Sequence, residues 1–472
     1  MGCEVRRRSF IRMVAATTAG ILGAAMIAAC GSSPEDAAAT EQRDRAETAA
    51  DGFVYGYAPV VLTRTRANMT CLLPINQLYN QPQMSGPDSR TVVAPNVDTL
   101  YSVAWLDLRS GPILLAHPDM GERYFGFQLL DIYSNVFANI GTRETGSSAG
   151  SFLIVPPGWT GLAPDGAAAA VTPDGTAVVE SPTWDAWMIG RTLVESMDDQ
   201  PAAQAAQKQY SMRVVGPAPT TTPPPLPPND CGNNPAPQAV AASGPEFFDE
   251  LAAVLAANPA PEADAPLLDE IAQLGVTPGA TPSTGDPEDV AALASGVEIG
   301  GQRLDDLIAE GSDGPAGSWT SLEDAGRYGT DYLHRATVAK IGLGANVPEE
   351  SMYHVTREDT DGETLRGSTG YALHFDADQL PPVDPRGFWS ITLYGPDMFL
   401  VPNSIARYAI GDRTPGLVRG DDGSLDVWIS SSPPPEGRTN WLPAPEGEFV
   451  LMLRAYLPTD RSWSPPVVQP AE

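Results

Sequence analysis

Hydrophobic and polar positions alternate most regularly along residues 124–133, where Phe125, Phe127, Leu129, Asp131 and Tyr133 fall on one face of an extended chain, because strand side chains alternate with period two. A carboxylate thus interrupts an apolar stripe. The same pattern predicts strands over 100–108, 113–116, 151–155, 177–180 and 184–193, with 124–140 read as one long strand bulged near Ser134 and Asn135. Alternation returns after residue 371, over 371–375, 388–394, 408–410, 425–430 and 449–457. In the last of these Phe449, Leu451, Leu453, Ala455 and Leu457 share a face, and Arg454 and Tyr456 lie on the other. Helical spacing appears first at 41–63, through Ala46, Ala49, Ala50, Phe53, Tyr57, Val60 and Val61. It recurs over 200–210, 247–258, 267–274, 290–308 (interrupted at Gly300 and Gly301) and 331–341.

Two β-rich regions around a helical middle give an α+β fold: two sandwich-like or jelly-roll-like domains bridged by helices. The expected divisions are 46–195 for an N-terminal β-rich domain with a leading helix, 196–345 for the helical middle and 346–472 for a C-terminal β-sandwich-like domain. The flanking β regions also suggest a distant duplication. Within the middle, 217–237 is dense in proline, which denies donors to a sheet and reads as a surface insertion.

Composition adds an address. Arg7 and Arg8 precede Ser9-Phe10-Ile11-Arg12, an apolar run follows, and Ile27-Ala28-Ala29 leads into Cys30. Residues 1–29 therefore resemble a twin-arginine lipoprotein signal peptide, with Cys30 taking the lipid, 30–45 serving as a tether, and the protein exported to the cell envelope on a membrane anchor. Setting aside Cys3 and Cys30 leaves Cys71 and Cys231, an expected disulfide in an oxidising compartment. Lys and Arg number 28 against 59 Asp and Glu, a net charge of −31, which disfavours nucleic acid as a partner.

Candidate chemistry is sparse. There is no nucleophile elbow, P-loop or dinucleotide glycine motif, and His117, His334, His354 and His374 make no metal-ligand spacing, so neither a cofactor nor a metal is expected. Asn96 and Asp98 precede a strand, where side-chain acceptors cap turns; the alternative sets Asp98 with Tyr101 at the edge of a cleft. Asp131 on its apolar stripe needs hydrogen-bond partners or a raised pKa. If Asp98 and Asp131 shared a pocket they would suit general acid and base work on a glycoside or ester. Tyr133 and Arg143 would then line the same site, and Trp389, Tyr394, Tyr408 and Trp441 could form a stacking platform or simply fill the core.

The strings APNVDTLYSVAWLDLRSGP, RYFGFQLLDIYSNVFANIGTRETG and FLIVPPGW between residues 94 and 159 resemble a domain of unknown function numbered 1254. The strings GFWSITLYGPDMFLVPNSIARYAIGDRTPGL, DGSLDVWIS and NWLPAPEGEFVLMLRAYLP after residue 371 resemble the partner domain, number 1214, of bacterial envelope proteins. The resemblance implies β-rich domains with a helical section and supplies no activity. The leading expectation is an envelope protein holding a small polar or polyol ligand between its β-rich domains. A carboxylate-pair hydrolase and a structural envelope protein without a ligand are the alternatives.

Overall fold

The computed structural model describes residues 34–90, 94–160, 175–216, 231–232, 234–310, 314–435 and 439–471. Residues 1–29, Cys30 and most of the proline-rich segment fall outside that set. The N-terminal half supplies β1 (Tyr79–Asn80), β2 (Thr99–Asp107), β3 (Ile113–His117), β4 (Phe125–Asp131), β5 (Val136–Gly141), β6 (Gly150–Val155), β7 (Ala177–Glu180), β8 (Asp185–Leu193) and β9 (Ser211–Val214). The C-terminal half supplies β10 (Thr320–Ser321), β11 (Ser351–Thr356), β12 (Tyr371–Phe375), β13 (Val383–Tyr394), β14 (Ala409–Gly411), β15 (Leu425–Ser430), β16 (Trp441–Pro443), β17 (Val450–Pro458) and β18 (Gln469–Pro470).

These strands form two five-stranded sheets, ordered β1-β2-β8-β4-β5 and β10-β11-β17-β13-β14, and two four-stranded sheets, ordered β7-β6-β3-β9 and β16-β15-β12-β18. Each strand of the second half takes the place of the strand nine earlier in the first. The equivalence extends to strand direction, since each smaller sheet holds one parallel pair, β6 with β7 and β15 with β16. The fold is thus α+β and internally duplicated, each half a two-sheet sandwich.

Period-two alternation fixes what each sheet buries. One face of the first large sheet sends Ala104, Leu106, Phe125, Phe127, Leu129, Ala186 and Met188 into a core shared with Leu115 and Ile154 of the smaller sheet. Its counterpart sends Ile391, Leu393, Leu451 and Leu453 against Leu373, Val427 and Ile429. The remaining face of each large sheet is left for other contacts, and there the two halves meet: Tyr124 and Leu193 pack with Phe388, Tyr456 and Leu457.

The helices are α1 (Pro34–Thr70), α2 (Gln200–Gln207), α3 (Pro237–Ala241), α4 (Glu246–Ala257), α5 (Ala265–Ala272), α6 (Pro287–Glu310) and α7 (Tyr332–Ile341). α1 begins inside the stretch read as a tether and continues through Pro59. Phe53, Tyr57 and Val61 of α1 are buried with Phe247, Phe248 and Leu251 of α4, each such side chain contributing about 1.5–3 kcal/mol by leaving water. α6 is not interrupted at Gly300. A Cβ there would stand 2.7 Å from the Phe53 ring and 3.0 Å from the Ala50 carbonyl oxygen, so the glycine permits close approach to α1 rather than breaking the helix. Cys71, one residue past α1, is bonded to Cys231.

The expected long strand at 124–140 is instead a hairpin. β4 pairs antiparallel with β5, and between them Ser134 adopts a left-handed φ of 70°. Asp131 makes that turn possible. Its carboxylate accepts from the backbone N–H of Tyr133 (2.9 Å) and of Asn135 (2.8 Å) and from the Asn135 side chain (3.0 Å).

Candidate functional site

A cavity of about 790 Å³ lies between the two large sheets, on the faces that their sandwich cores leave over. Tyr101 and Val103 on β2 and Trp187, Ile189 and Arg191 on β8 make one wall; Tyr353 on β11 and Met452, Arg454 and Tyr456 on β17 make the other. Asn96, the end of α1 and the turn after α7 close the sides. The duplication is visible in the wall itself, because Arg191 pairs across the ladder with Tyr101 and Arg454 with Tyr353. Each half thus presents an arginine beside a tyrosine at equivalent strands.

The side-chain order follows from the strand period. Trp187, Ile189 and Arg191 share one face of β8, while Gly190 faces away, where a Cβ would meet Phe127 and Ser102 within 3.0 Å. Arg191 is 7% exposed and Arg454 3%, and guanidinium groups stay charged at neutral pH. Yet among the described residues neither has a carboxylate partner. Arg191 donates to the Gln128 side-chain oxygen at 2.8 Å, the Gly344 carbonyl at 3.0 Å and, at 3.4 Å, the Asn346 side-chain oxygen. Its Nε is buried without an acceptor among the described residues. Arg454 donates to Thr392 Oγ1 at 3.2 Å and to the Ala94 carbonyl at 2.7 Å, and its guanidinium sits 5.6 Å from the Tyr394 ring centre.

Three tyrosines complete the polar surface. Tyr456 Oη accepts from Asn96 Nδ2 at 2.5 Å, Tyr353 Oη from the Asn346 N–H at 3.1 Å and Tyr101 Oη from the Asn96 N–H at 3.4 Å. Having accepted there, each hydroxyl retains a proton to donate. Burial, then the neighbouring Tyr353, hold Tyr456 well above the ordinary phenol value against the opposing pull of Arg191 and Arg454. Its O–H is therefore intact at neutral pH. Among the described residues that line the cavity the one carboxylate is Asp88, which is solvent-exposed. The interior is a surface of donors and cations set among apolar walls.

Of the side chains singled out in the sequence, Asn96 and Tyr101 line this cavity. Asp98 does not: its carboxylate accepts from Ser390 Oγ at 2.6 Å and pairs with Arg413 at 2.9 Å, joining the two halves beside the cavity. Asp131 lies in its turn, 3% exposed, where burial raises its pKa to about 6 against the opposite pull of the Asn135 and Tyr133 hydrogen bonds and of Arg335. The two acids face no common space in the cavity, and the expected acid pair is not assembled there. Tyr133 is core, donating to the Asn258 carbonyl at 2.7 Å. Arg143 is paired with Glu350 at 2.8 Å and Glu144 at 2.7 Å.

The aromatic platform is likewise dispersed. Trp389 packs on Phe375 in the C-terminal core, Tyr394 donates to the Pro95 carbonyl at 2.8 Å, Tyr408 packs beside Tyr394 and Leu400, and Trp441 donates to the Ser430 carbonyl at 3.0 Å. None of the four lines the cavity. Among the described residues no group of three or more His, Cys, Asp or Glu is arranged to hold a metal ion.

The lining residues that sequence reading passed over are Arg191, Tyr353, Arg454 and Tyr456. Two of them carried a signal: Arg191 and Arg454 are each the lone cation in a largely apolar strand, WDAWMIGRTL and VLMLRAYLP.

Comparison with known proteins agrees with the division seen in the cavity walls. Residues 75–214 match the protein of unknown function DUF1254, and residues 350–460 match the protein of unknown function DUF1214. One wall falls within each match. No curated protein matches the chain. Among solved structures it is similar to the VPA0106 protein from Vibrio parahaemolyticus, with 23% identity over 91% of this chain and 100% of that one and a TM-score of 0.67. It also aligns with a putative uncharacterized protein from Burkholderia cenocepacia, at 12% identity over 92% of this chain and 95% of that one with a TM-score of 0.45. The chain belongs to the proteins that join an N-terminal DUF1254 domain to a C-terminal DUF1214 domain, and its cavity is built from both.

Proposed function

We propose that this protein binds a small organic anion in the cavity between its two halves. The observation that carries this reading is the pair of buried arginines, Arg191 and Arg454, held by neutral acceptors alone in the wall of a space of about 790 Å³. Desolvating a charge costs several kcal/mol unless an opposite charge offsets it, and the one carboxylate among the described lining residues, Asp88, is solvent-exposed rather than set against either arginine. A carboxylate, phosphate or sulfonate would supply it, with the hydroxyls of Tyr101, Tyr353 and Tyr456 as further donors. A neutral polyol fits less well: it would leave both cations uncompensated, and the aromatic platform expected to stack on it lies elsewhere.

The test is calorimetric titration with benzoate and with its neutral isosteres benzamide and benzyl alcohol. Benzoate is expected to bind and the isosteres to bind at least tenfold more weakly. Equal affinities for all three would reject the anion reading.

We place this activity in the cell envelope, on the strength of the Arg7-Arg8 motif, the small residues before Cys30 and the Cys71–Cys231 bond, which suits an oxidising compartment. Replacing Cys30 with Ser should move the protein from the membrane to the soluble fraction; unchanged fractionation would refute lipid anchoring at that residue.

A further inference from the structure

We infer that the anion carries an apolar chain: the ligand is a single-chain organic acid, its head at Arg191 and Arg454 and its tail directed to the cavity mouth. This rests on the anion reading and adds the chemistry of the rest of the molecule.

Exposed apolar side chains collect at this cavity. Large hydrophobic residues that stay exposed are few among the described residues, and three of them belong to this one cavity: Leu72 at 85% exposed, Tyr79 at 42% and Ile341 at 36%. They come from three separate elements, the segment after α1, strand β1 and the end of α7. Scattered exposed apolar residues need no explanation, whereas a group on the rim of a cavity marks a binding surface.

Behind the rim the walls continue apolar through Met69, Leu73, Leu322 and Leu343 to Val103, Trp187, Ile189 and Met452. The buried cations and tyrosine hydroxyls belong to the facing sheets, and at the mouth the exposed Leu72, Tyr79 and Ile341 stand among the exposed polar side chains of Asp88, Arg90 and Asn234. An ion such as phosphate or acetate would satisfy the arginines and leave this surface wet. An acyl or alkyl chain covers it.

The disulfide holds part of the rim in place. Cys71 immediately precedes Leu72, and its partner Cys231 lies three residues before Asn234, which also lines the cavity. The Asn234 carbonyl accepts from Arg64 of α1 at 3.2 Å. Leu72 is therefore displayed on an anchored segment, which lowers the ordering cost of closing over a chain.

The experiment is a titration series on the purified protein with butanoate, hexanoate, octanoate and decanoate beside the 1-alkanols of equal length. For the acids, Kd should fall about fourfold per methylene until the chain fills the mouth, and each alcohol should bind at least tenfold more weakly than its acid. Leu72→Ser and Ile341→Ser together, both at exposed positions, should flatten that dependence on chain length. Acids that all bind alike, whatever their length, would overturn the chain inference and leave the anion reading standing. Alcohols that bind as tightly as the acids would overturn the anion reading instead. Sedimentation of the protein lacking residues 1–30 with phosphatidylglycerol vesicles, without uptake of free acids, would assign the rim to a membrane surface and overturn the proposal.

Discussion

Arg191→Met is expected to weaken benzoate binding by about thirtyfold or more while leaving the unliganded protein folded. Removing one partner of a buried, hydrogen-bonded charge pair costs about 2–5 kcal/mol, which is roughly 30-fold to several thousandfold in affinity. The effect on stability has opposing parts. Methionine spares the free protein the cost of burying an uncompensated charge, and leaves the Gln128 side-chain oxygen and the Gly344 carbonyl without a donor, at about 1–3 kcal/mol each. Arg454→Met should behave alike through Thr392 and Ala94. Lysine at either position keeps the charge but not the planar fork and should restore binding only in part. Calorimetry for binding and thermal unfolding for stability separate the two effects. Binding preserved within a fewfold in both methionine variants would place the anion elsewhere.

The second large effect concerns Cys71 and Cys231. Their bond closes a sequence separation of 160 residues, so cross-linking removes much of the freedom of the unfolded chain. Chain-entropy reasoning gives about 5 kcal/mol for a loop of that length, and native disulfides typically contribute about 2–5 kcal/mol when removed. The double variant Cys71→Ser, Cys231→Ser should therefore unfold at markedly lower denaturant, with its folded arrangement retained because Arg64 still binds Asn234 and Glu250. Equilibrium denaturation in oxidising buffer measures the difference. A midpoint equal to that of the unaltered protein would show that the closed loop contributes nothing.

How far the sequence could be read depended on whether the deciding information was local. Strand alternation is local, and it located both sandwiches and the two faces of 449–457; read from sequence as half-buried, that strand is buried on both faces, because the face carrying Arg454 and Tyr456 meets the other half of the molecule. The turn at Ser134 was read only as a bulge because extended, largely apolar sequence runs from Phe125 to Tyr133 and resumes at Val136, so the strand pattern continued where the backbone reversed. Gly300 was misread for a related reason: glycine breaks helices by propensity, but here it answers to α1 packed against it. The site was harder still. Asp131 drew attention as an acid on an apolar stripe, yet three N–H donors four residues or fewer away account for it. Arg191 and Arg454 presented the same anomaly with opposite charge, and nothing near them in sequence resolves it. Their meaning depends on two sheets meeting across a cavity, and which face of each sheet meets the other is settled by the duplicated topology rather than by any one strand.

The most direct test of the central claim is a crystal structure of the protein with 4-bromobenzoate, read by the anomalous signal of its bromine. The account predicts the bromine inside the cavity on the mouth side and the carboxylate within hydrogen-bond distance of Arg191 or Arg454. Bromine found only on the outer surface, or a carboxylate turned away from both arginines, would contradict it.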